Sequence, residues 1–215
     1  FDKILDFEDS KRYSMLSSIE IAKQLIEEKN YKEALLYLED AKSMREADLL
    51  KKKVNFLVGE EYFNNNDFVN AELSYKKAGD FEGAKDKMYK SIFEQGSLYF
   101  NNGDFENANA CFSRLPEEYG NAELMRKQSL LGYSKKLQEE GKTEKAREGF
   151  LKLGDFEDAK ERYCESMYLE AKSEIEKGNM SAALKYLSKI QGYKDSSDLF
   201  NDYVYKSASK SRGGF

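Results

Sequence analysis

Ser91-Ile92-Phe93-Glu94-Gln95-Gly96-Ser97-Leu98-Tyr99-Phe100-Asn101-Asn102-Gly103-Asp104-Phe105-Glu106-Asn107-Ala108-Asn109-Ala110-Cys111-Phe112 is the stretch that decides the fold. Ile92, Phe93, Gly96, Tyr99 and Phe100 recur at the spacing of one helical face. Asn101 to Asp104 then break the helix, with asparagine and glycine able to take the left-handed conformation at its end. Asp104 is placed to cap a second helix, and Glu106 favours that helix's first turn. The second helix carries Phe105, Ala108, Phe112 and Leu115 on one face, and Pro116 and Gly120 end it. A new helix opens near Asn121 and runs to about Glu140. The stretch therefore reads as a helical hairpin, with helix A of about 20 residues, some 30 Å long, and helix B of about 10–12.

The same hairpin recurs on either side. Ala34, Ala71, Ala108, Ala146 and Ala183 step by 37, 37, 38 and 37 residues. A second series, Phe7, Met44, Phe81, Tyr119, Phe156 and Tyr193, runs in phase with the first. Each of its members is followed three residues on by alanine or serine. A fixed period of this size marks a solenoid of stacked units that share one continuous core. The alanines let two helix backbones approach, and a bulky residue one turn earlier fills the space beside each, except at Thr143. Gly-Asp-Phe at 79–81, 103–105 and 154–156 marks the turns. The units span about 15–51, 52–88, 89–126, 127–163 and 164–200 of a single domain over residues 1–215. Residues 1–14, with Phe1 matching Tyr75, correspond to the tail of an earlier unit, and 201–215 to the start of a sixth. Neither end shows a polar capping element, so the chain reads as an excised piece of a longer protein. The plainer alternative is that both ends form terminal helices.

Composition narrows the function. Charged residues make up 35% and apolar residues 40% of the 215, and 15 Tyr with 14 Phe supply a core, so disorder is excluded. One proline suits long helices. The net charge is −5 with both signs interspersed and no basic stripe, which argues against nucleic acid as partner. No apolar run is long enough to insert in a membrane. Phe1-Asp2-Lys3-Ile4 does not read as a signal peptide, so a cytoplasmic location is expected. Cys111 and Cys164 fall at unrelated places in their units and read as buried thiols, not as a disulfide framework.

The second and third units resemble the tetratricopeptide repeat. The resemblance rests on Gly59-x-x-Tyr62 followed by Ala71-x-x-x-Tyr75-x-x-Ala78, and on Gly96-x-x-Tyr99 followed by Ala108-x-x-x-Phe112-x-x-Leu115. The first unit keeps Ala22, Leu25, Ala34, Leu38 and Ala41. The fourth keeps Ser134, Leu137, Ala146, Phe150 and Leu153, and the fifth Ala171, Ala183, Leu187 and Ile190. The period of 37 exceeds the family's 34, tryptophan is missing, and the proline that closes helix B has only Pro116 near it. The resemblance implies an all-α, right-handed superhelix of about five hairpins. It also implies a concave surface lined by the A helices that takes a peptide or a partner helix.

On those A helices, one recurring position reads Ile19, Phe56, Phe93, Leu131 and Tyr168, and another Ile26, Phe63, Phe100, Gln138 and Ile175. These series give a candidate partner-binding groove of Phe56, Phe63, Phe93, Phe100, Leu131 and Tyr168. Lys53 and Lys90, in adjacent units, stand ready for an acidic ligand. The competing interpretation is packing between adjacent A helices, since an aromatic stripe at helical spacing is ordinarily core. The Lys/Asn/Arg cluster with which some members of the family grip a terminal carboxylate is not found in matching places.

Catalytic chemistry finds little support. Without histidine no Ser-His-Asp or Cys-His arrangement is available, and a zinc site lacks its usual ligands. The glycines occur singly in turns, not as a phosphate-cradling loop. Pairs such as Glu60-Glu61 and Glu139-Glu140 read as solvated helix faces. Asn64-Asn65-Asn66-Asp67 lacks the spacing of a calcium loop. The expectation is a non-enzymatic protein- or peptide-binding scaffold without cofactor or metal. The alternatives are a peptide-sensing regulatory domain of a larger bacterial protein and a structural spacer.

Overall fold

A computed structural model describes residues 2–212, with the side chains of residues 7–206. The described residues form eleven helices and no strand. The A helices are α1 (Asp2–Glu27), α3 (Arg45–Asn64), α5 (Ala84–Asn101), α7 (Ala122–Glu139), α9 (Ala159–Glu176) and α11 (Ser196–Arg212). The B helices between them are α2 (Tyr31–Asp40), α4 (Phe68–Ala78), α6 (Phe105–Phe112), α8 (Thr143–Leu153) and α10 (Met180–Leu187). The hairpin alternation expected from the 37-residue period is therefore observed in all five repeats. Residues 2–14 run on into α1 without a break, where the links between later hairpins turn. Leu5 stands there in place of the glycines at 79 and 154, which take φ of 61° and 58°. The match of Phe1 to Tyr75 lies outside the described residues.

The turn inside each hairpin has one geometry, which ends the A helix. Lys29, Asn66, Gly103, Gly141 and Gly178 all have φ between 59° and 78°. After four of these helices the next amide closes a six-residue ring: Asn30 N donates to Leu25 O, Asp67 N to Tyr62 O, Lys142 N to Leu137 O and Asn179 N to Glu174 O, at 2.8–2.9 Å. A second bond from the left-handed residue itself, such as Asn66 N to Phe63 O at 3.0 Å, completes a Schellman cap. Asp104 caps α6 as the sequence implies, accepting from Asn107 N at 3.3 Å, and Asp67 does the same for α4 through Asn70 N at 3.2 Å.

The links between hairpins repeat as well. The amide of Phe81, Tyr119, Phe156 or Tyr193 donates to the carbonyl three residues back, and its own carbonyl accepts from the amide three residues on. Each aromatic thus sits at the shared corner of two turns. Eleven-residue B helices are followed by five-residue links, and the eight-residue α6 and α10 by links of nine and eight, so the period holds near 37. Helix B of the third unit ends at Phe112, short of the Leu115 expected in it. Turn bonds from Arg114 N to Cys111 O and from Leu115 N to Phe112 O carry the chain on, and Leu115 stays buried.

The chain divides into two compact units, Phe1–Asn102 with Ala110–Ala122, and Gly103–Asn109 with Glu123–Phe215. In the first unit, α2 packs on α1 and α3, α4 packs on α3 and α5, and α1 touches α3. In the second, α9 packs on α8 and α10, and α10 on α11. The five periodic alanines are all buried, 0–1% exposed. Opposite them the A helices place Ala22, Gly59, Gly96, Ser134 and Ala171, also buried. A Cβ on Gly59 would lie 2.7 Å from the Tyr75 ring, and one on Gly96 3.0 Å from Cys111 Cβ and the Phe112 ring. In the fourth repeat the small residue changes sides: Ser134 stands on the A helix, and Gly149 on α8 leaves room for it. Neither Cys111 nor Cys164 forms a disulfide.

Candidate functional site

The A helices of the first unit meet side by side at Phe63. Its half-buried ring stacks edge-on against Phe68, 5.2 Å between centroids, just past the hairpin turn. From the neighbouring α5, Lys90 Nζ lies 5.2 Å and Lys87 Nζ 5.9 Å from the ring centroid. Both ammoniums lie within reach of the negative ring face, an arrangement worth about 0.5–1 kcal/mol at exposed sites. Lys87 is one helical turn from the α5 N-terminus and Lys90 the next residue on the same face, so one helix presents both.

Glu60, one turn before Phe63, organises the rest. Its carboxylate pairs with Lys87 at 2.8 Å and accepts from the Tyr75 hydroxyl at 2.5 Å. Burial pushes the Glu60 carboxyl up, but Lys87 and the Tyr75 hydroxyl outweigh it and hold the carboxyl below its ordinary range. Burial and the same carboxylate push the Tyr75 phenol well above its ordinary value. Lys90 is an exposed residue whose ammonium lies over the same ring and also acts on the Glu60 carboxylate. Lys53 occupies the same repeat position on α3 and is likewise exposed.

The other residues read from the sequence as groove are placed as follows. Phe56 is half-buried between Tyr75 and Phe81, with centroids at 5.5 and 5.0 Å. Phe93 is half-buried between Phe112 and Tyr119, at 5.5 and 6.1 Å. Tyr168 is 8% exposed, lies edge-on to Tyr193 and donates to Asp195 at 2.5 Å. Leu131 is 3% exposed in the core with Phe150 and Leu153. Phe100 is half-buried at the repeat position of Phe63. Phe56, Phe93 and Tyr168 thus pack against the link aromatic that follows, Phe63 and Phe100 are half-buried as well, and Lys53 and Lys90 are exposed.

In the second unit, the repeat position of Phe63 is Gln138, which accepts from Arg162 Nη1 at 3.1 Å. Arg162 Nε donates to Asp158 at 2.6 Å, and Lys135 pairs with Asp158 at 3.0 Å. Burial raises the Asp158 carboxyl and these two cations lower it further, so the net displacement is downward. Glu165, at the position of Lys90, pairs with Lys194 and accepts from the Tyr193 hydroxyl at 2.7 Å. This counterpart is closed by its own ion pairs: Lys194, which lies over the Tyr168 and Tyr193 rings at 5.0 and 5.3 Å, is neutralised by Glu165. The sequence identified Lys90 and Phe63, passed over Lys87 and read Glu60 as part of a solvated face, whereas Glu60 is half-buried and paired; neither residue type recurs at its repeat position. Among the described residues no group of three or more acidic or cysteine side chains is arranged to hold a metal ion. None of the helices described is long and apolar enough to cross a membrane.

Residues 90–122, which span most of the third hairpin and its following link, match the tetratricopeptide repeat family. No curated protein matches the chain. Among solved structures, the apo form of RapI shares 15% identity over 93% of this chain, at a TM-score of 0.27. PilF of Pseudomonas aeruginosa shares 11% identity over 92% of this chain and 99% of its own, at a TM-score of 0.22. The chain spans about three fifths of RapI, 61% of its length. With its hairpin turns, its small-residue contacts and the family match, the chain is a tetratricopeptide-like helical-repeat protein. Repeats of this kind present extended surfaces on which other proteins bind.

Proposed function

We propose that the chain is a non-enzymatic scaffold that binds a protein or peptide along the A-helix face of its first unit. The contact residues in this proposal are Phe63, Lys90 and Lys53, with the half-buried rings of Phe56, Phe93 and Phe100 beside them. The observation that carries it is the pair of ammoniums held over the Phe63 ring by an adjacent helix. Glu60 neutralises Lys87, so Lys90 and Lys53 present the charge. The preferred ligand is a segment that alternates acidic and apolar residues. Its carboxylates meet the lysines, and its apolar side chains cover the exposed ring edges.

Peptides selected from a random display library on the whole chain test this. The selected peptides should be enriched in acidic and aliphatic residues, and their affinity should fall about tenfold or more on Phe63→Ala combined with Lys90→Glu. Added salt should weaken the complex, since rim charges are screened. Equal affinity for the wild type and the double variant would refute the site. A chain that selects no peptide would instead be a spacer between other domains.

A further inference from the structure

The second unit contains a mismatch that its own repeat exposes. In the first unit, Glu72 of α4 is matched across the hairpin stack by Arg114, which follows α6, and the two form an ion pair. The same two positions in the second unit hold Arg147, on α8, and Lys189, after α10. A carboxylate–guanidinium pair has become two cations. Arg147 is also the more buried of them, its side chain 10% exposed. Its Nη1 forms a long ion pair with Glu170 at 3.6 Å but has no hydrogen-bond partner. Its guanidinium is held over the Tyr186 ring, 5.5 Å from the centroid. A buried charge left this way is expensive unless something completes it.

Beside the two cations is a cavity of about 360 Å³, whose remaining wall is Leu151, Tyr163, Met167 and Tyr186. Glu144 and Glu148 stand at its exposed rim and repel a second negative charge. We infer that this cavity between α8, α9 and α10 binds a monocarboxylate with an apolar body, the carboxylate seated between Arg147 and Lys189 and the body against Met167, Tyr163 and Tyr186. The carboxylate replaces the one that the repeat has lost. A small aliphatic acid and an acidic side chain flanked by aliphatic residues share this chemistry. The site lies on B helices of the second unit and stands or falls separately from the Phe63 surface.

Titration of the whole chain with N-acetyl-leucine, read from the Arg147 Nε–H and Tyr186 ring resonances, tests the inference. Saturable shifts with a dissociation constant of about millimolar are expected for a ligand this small. The neutral N-acetyl-leucinamide should bind at least about tenfold more weakly, because the guanidinium gains nothing from it. Arg147→Met should abolish the acid's binding without lowering the urea midpoint, since it replaces a buried charge, held only by a long ion pair to the half-exposed Glu170, with an apolar side chain. Lys189→Gln should weaken binding several-fold, whereas Phe63→Ala should leave it unchanged. A capped peptide, acetyl-Leu-Glu-Leu-amide, identifies the source: tighter binding than N-acetyl-leucine assigns the site to a protein segment, and weaker binding to a small acid. Absence of saturable shifts, equal binding of acid and amide, or equal binding by Arg147→Met would each overturn it.

Discussion

Replacing Gly149 with alanine tests whether the hairpins close through matched small residues. In the middle of a helix such as α8, alanine is ordinarily about 1 kcal/mol better than glycine. Here the added Cβ would lie 1.9 Å from Ser134 Oγ and 3.1 Å from Ser134 Cβ. Ser134 is 1% exposed and donates to Leu130 O at 2.7 Å, so its hydroxyl cannot move without breaking that bond. Forcing it aside forfeits that bond, about 1 kcal/mol, and leaves an overpacked contact of about 1–3 kcal/mol. The lost bond and the overpacking together outweigh the propensity gain, and the net expectation is a loss of about 1–3 kcal/mol. Ser134→Gly removes the obstacle and restores the glycine-on-A arrangement seen at Gly96 and Cys111. The double variant should therefore return to within about 1 kcal/mol of wild type, with a coupling energy of about 1.5–3 kcal/mol. Urea unfolding followed by far-ultraviolet ellipticity measures this. With a slope of about 3 kcal/mol/M, the single variant should lower the midpoint by about 0.3–1 M. A raised midpoint for Gly149→Ala, or strict additivity in the cycle, would refute the close-approach argument.

Two further expectations concern the turns and the ion pairs. Lys29 and Asn66 hold the left-handed position that glycine holds at 103, 141 and 178, so Lys29→Gly should stabilise the chain by about 1 kcal/mol and Asn66→Gly by less. Gly141→Ala should cost about as much as Lys29→Gly gains, and calorimetric midpoints check all three. Acid should also destabilise the chain, because Glu60, Asp158 and Glu165 have carboxyls held below their ordinary range. A depressed folded-state pKa contributes stability that is present above the unfolded value and lost as pH falls through the folded one, so the urea midpoint should be flat near neutrality and fall below about pH 4. Glu60→Gln should flatten part of that fall; a midpoint that rises on acidification would contradict the assignment.

What the sequence made legible was whatever the repeat enforces at the backbone. The left-handed turn positions and the buried alanines recur at one spacing because only a few residue types satisfy them, so the hairpins and their period could be read directly. The direction of the Phe56, Phe93 and Tyr168 rings was not legible in that way. It is set by Phe81, Tyr119 and Tyr193 folding back from the links some 25 residues later, and helical spacing carries no information about that return. The ion pairs between neighbouring A helices were hidden for another reason. Lys23 meets Glu46, Glu60 meets Lys87 and Lys135 meets Asp158, so the sign reverses and the partner shifts by a turn from one pair to another. A conserved interaction with exchanged charges leaves no recurring letter.

Departures from the repeat therefore divide into two kinds, and the division locates function. Ser134 departs from the glycine of earlier hairpins, but Gly149 answers it across the interface, and the packing is preserved. Gln138 replaces the half-buried phenylalanine of earlier hairpins, but Arg162 and Asp158 answer it with a closed polar network. Such compensated changes keep the stack intact and require no ligand. Arg147 near Lys189 is compensated only in part: the carboxylate of the first unit is gone, Glu170 supplies a long ion pair at 3.6 Å, and no hydrogen bond satisfies Nη1. Stacking alone would favour an apolar residue at that position, as Leu35 and Leu184 show at the same place in the first and fifth repeats. An array whose units are otherwise built to bury one another gains little structurally from a buried guanidinium held only by one long ion pair, beside a second cation and a cavity. Their persistence in the fold is the physical reason to look for a carboxylate from outside the chain.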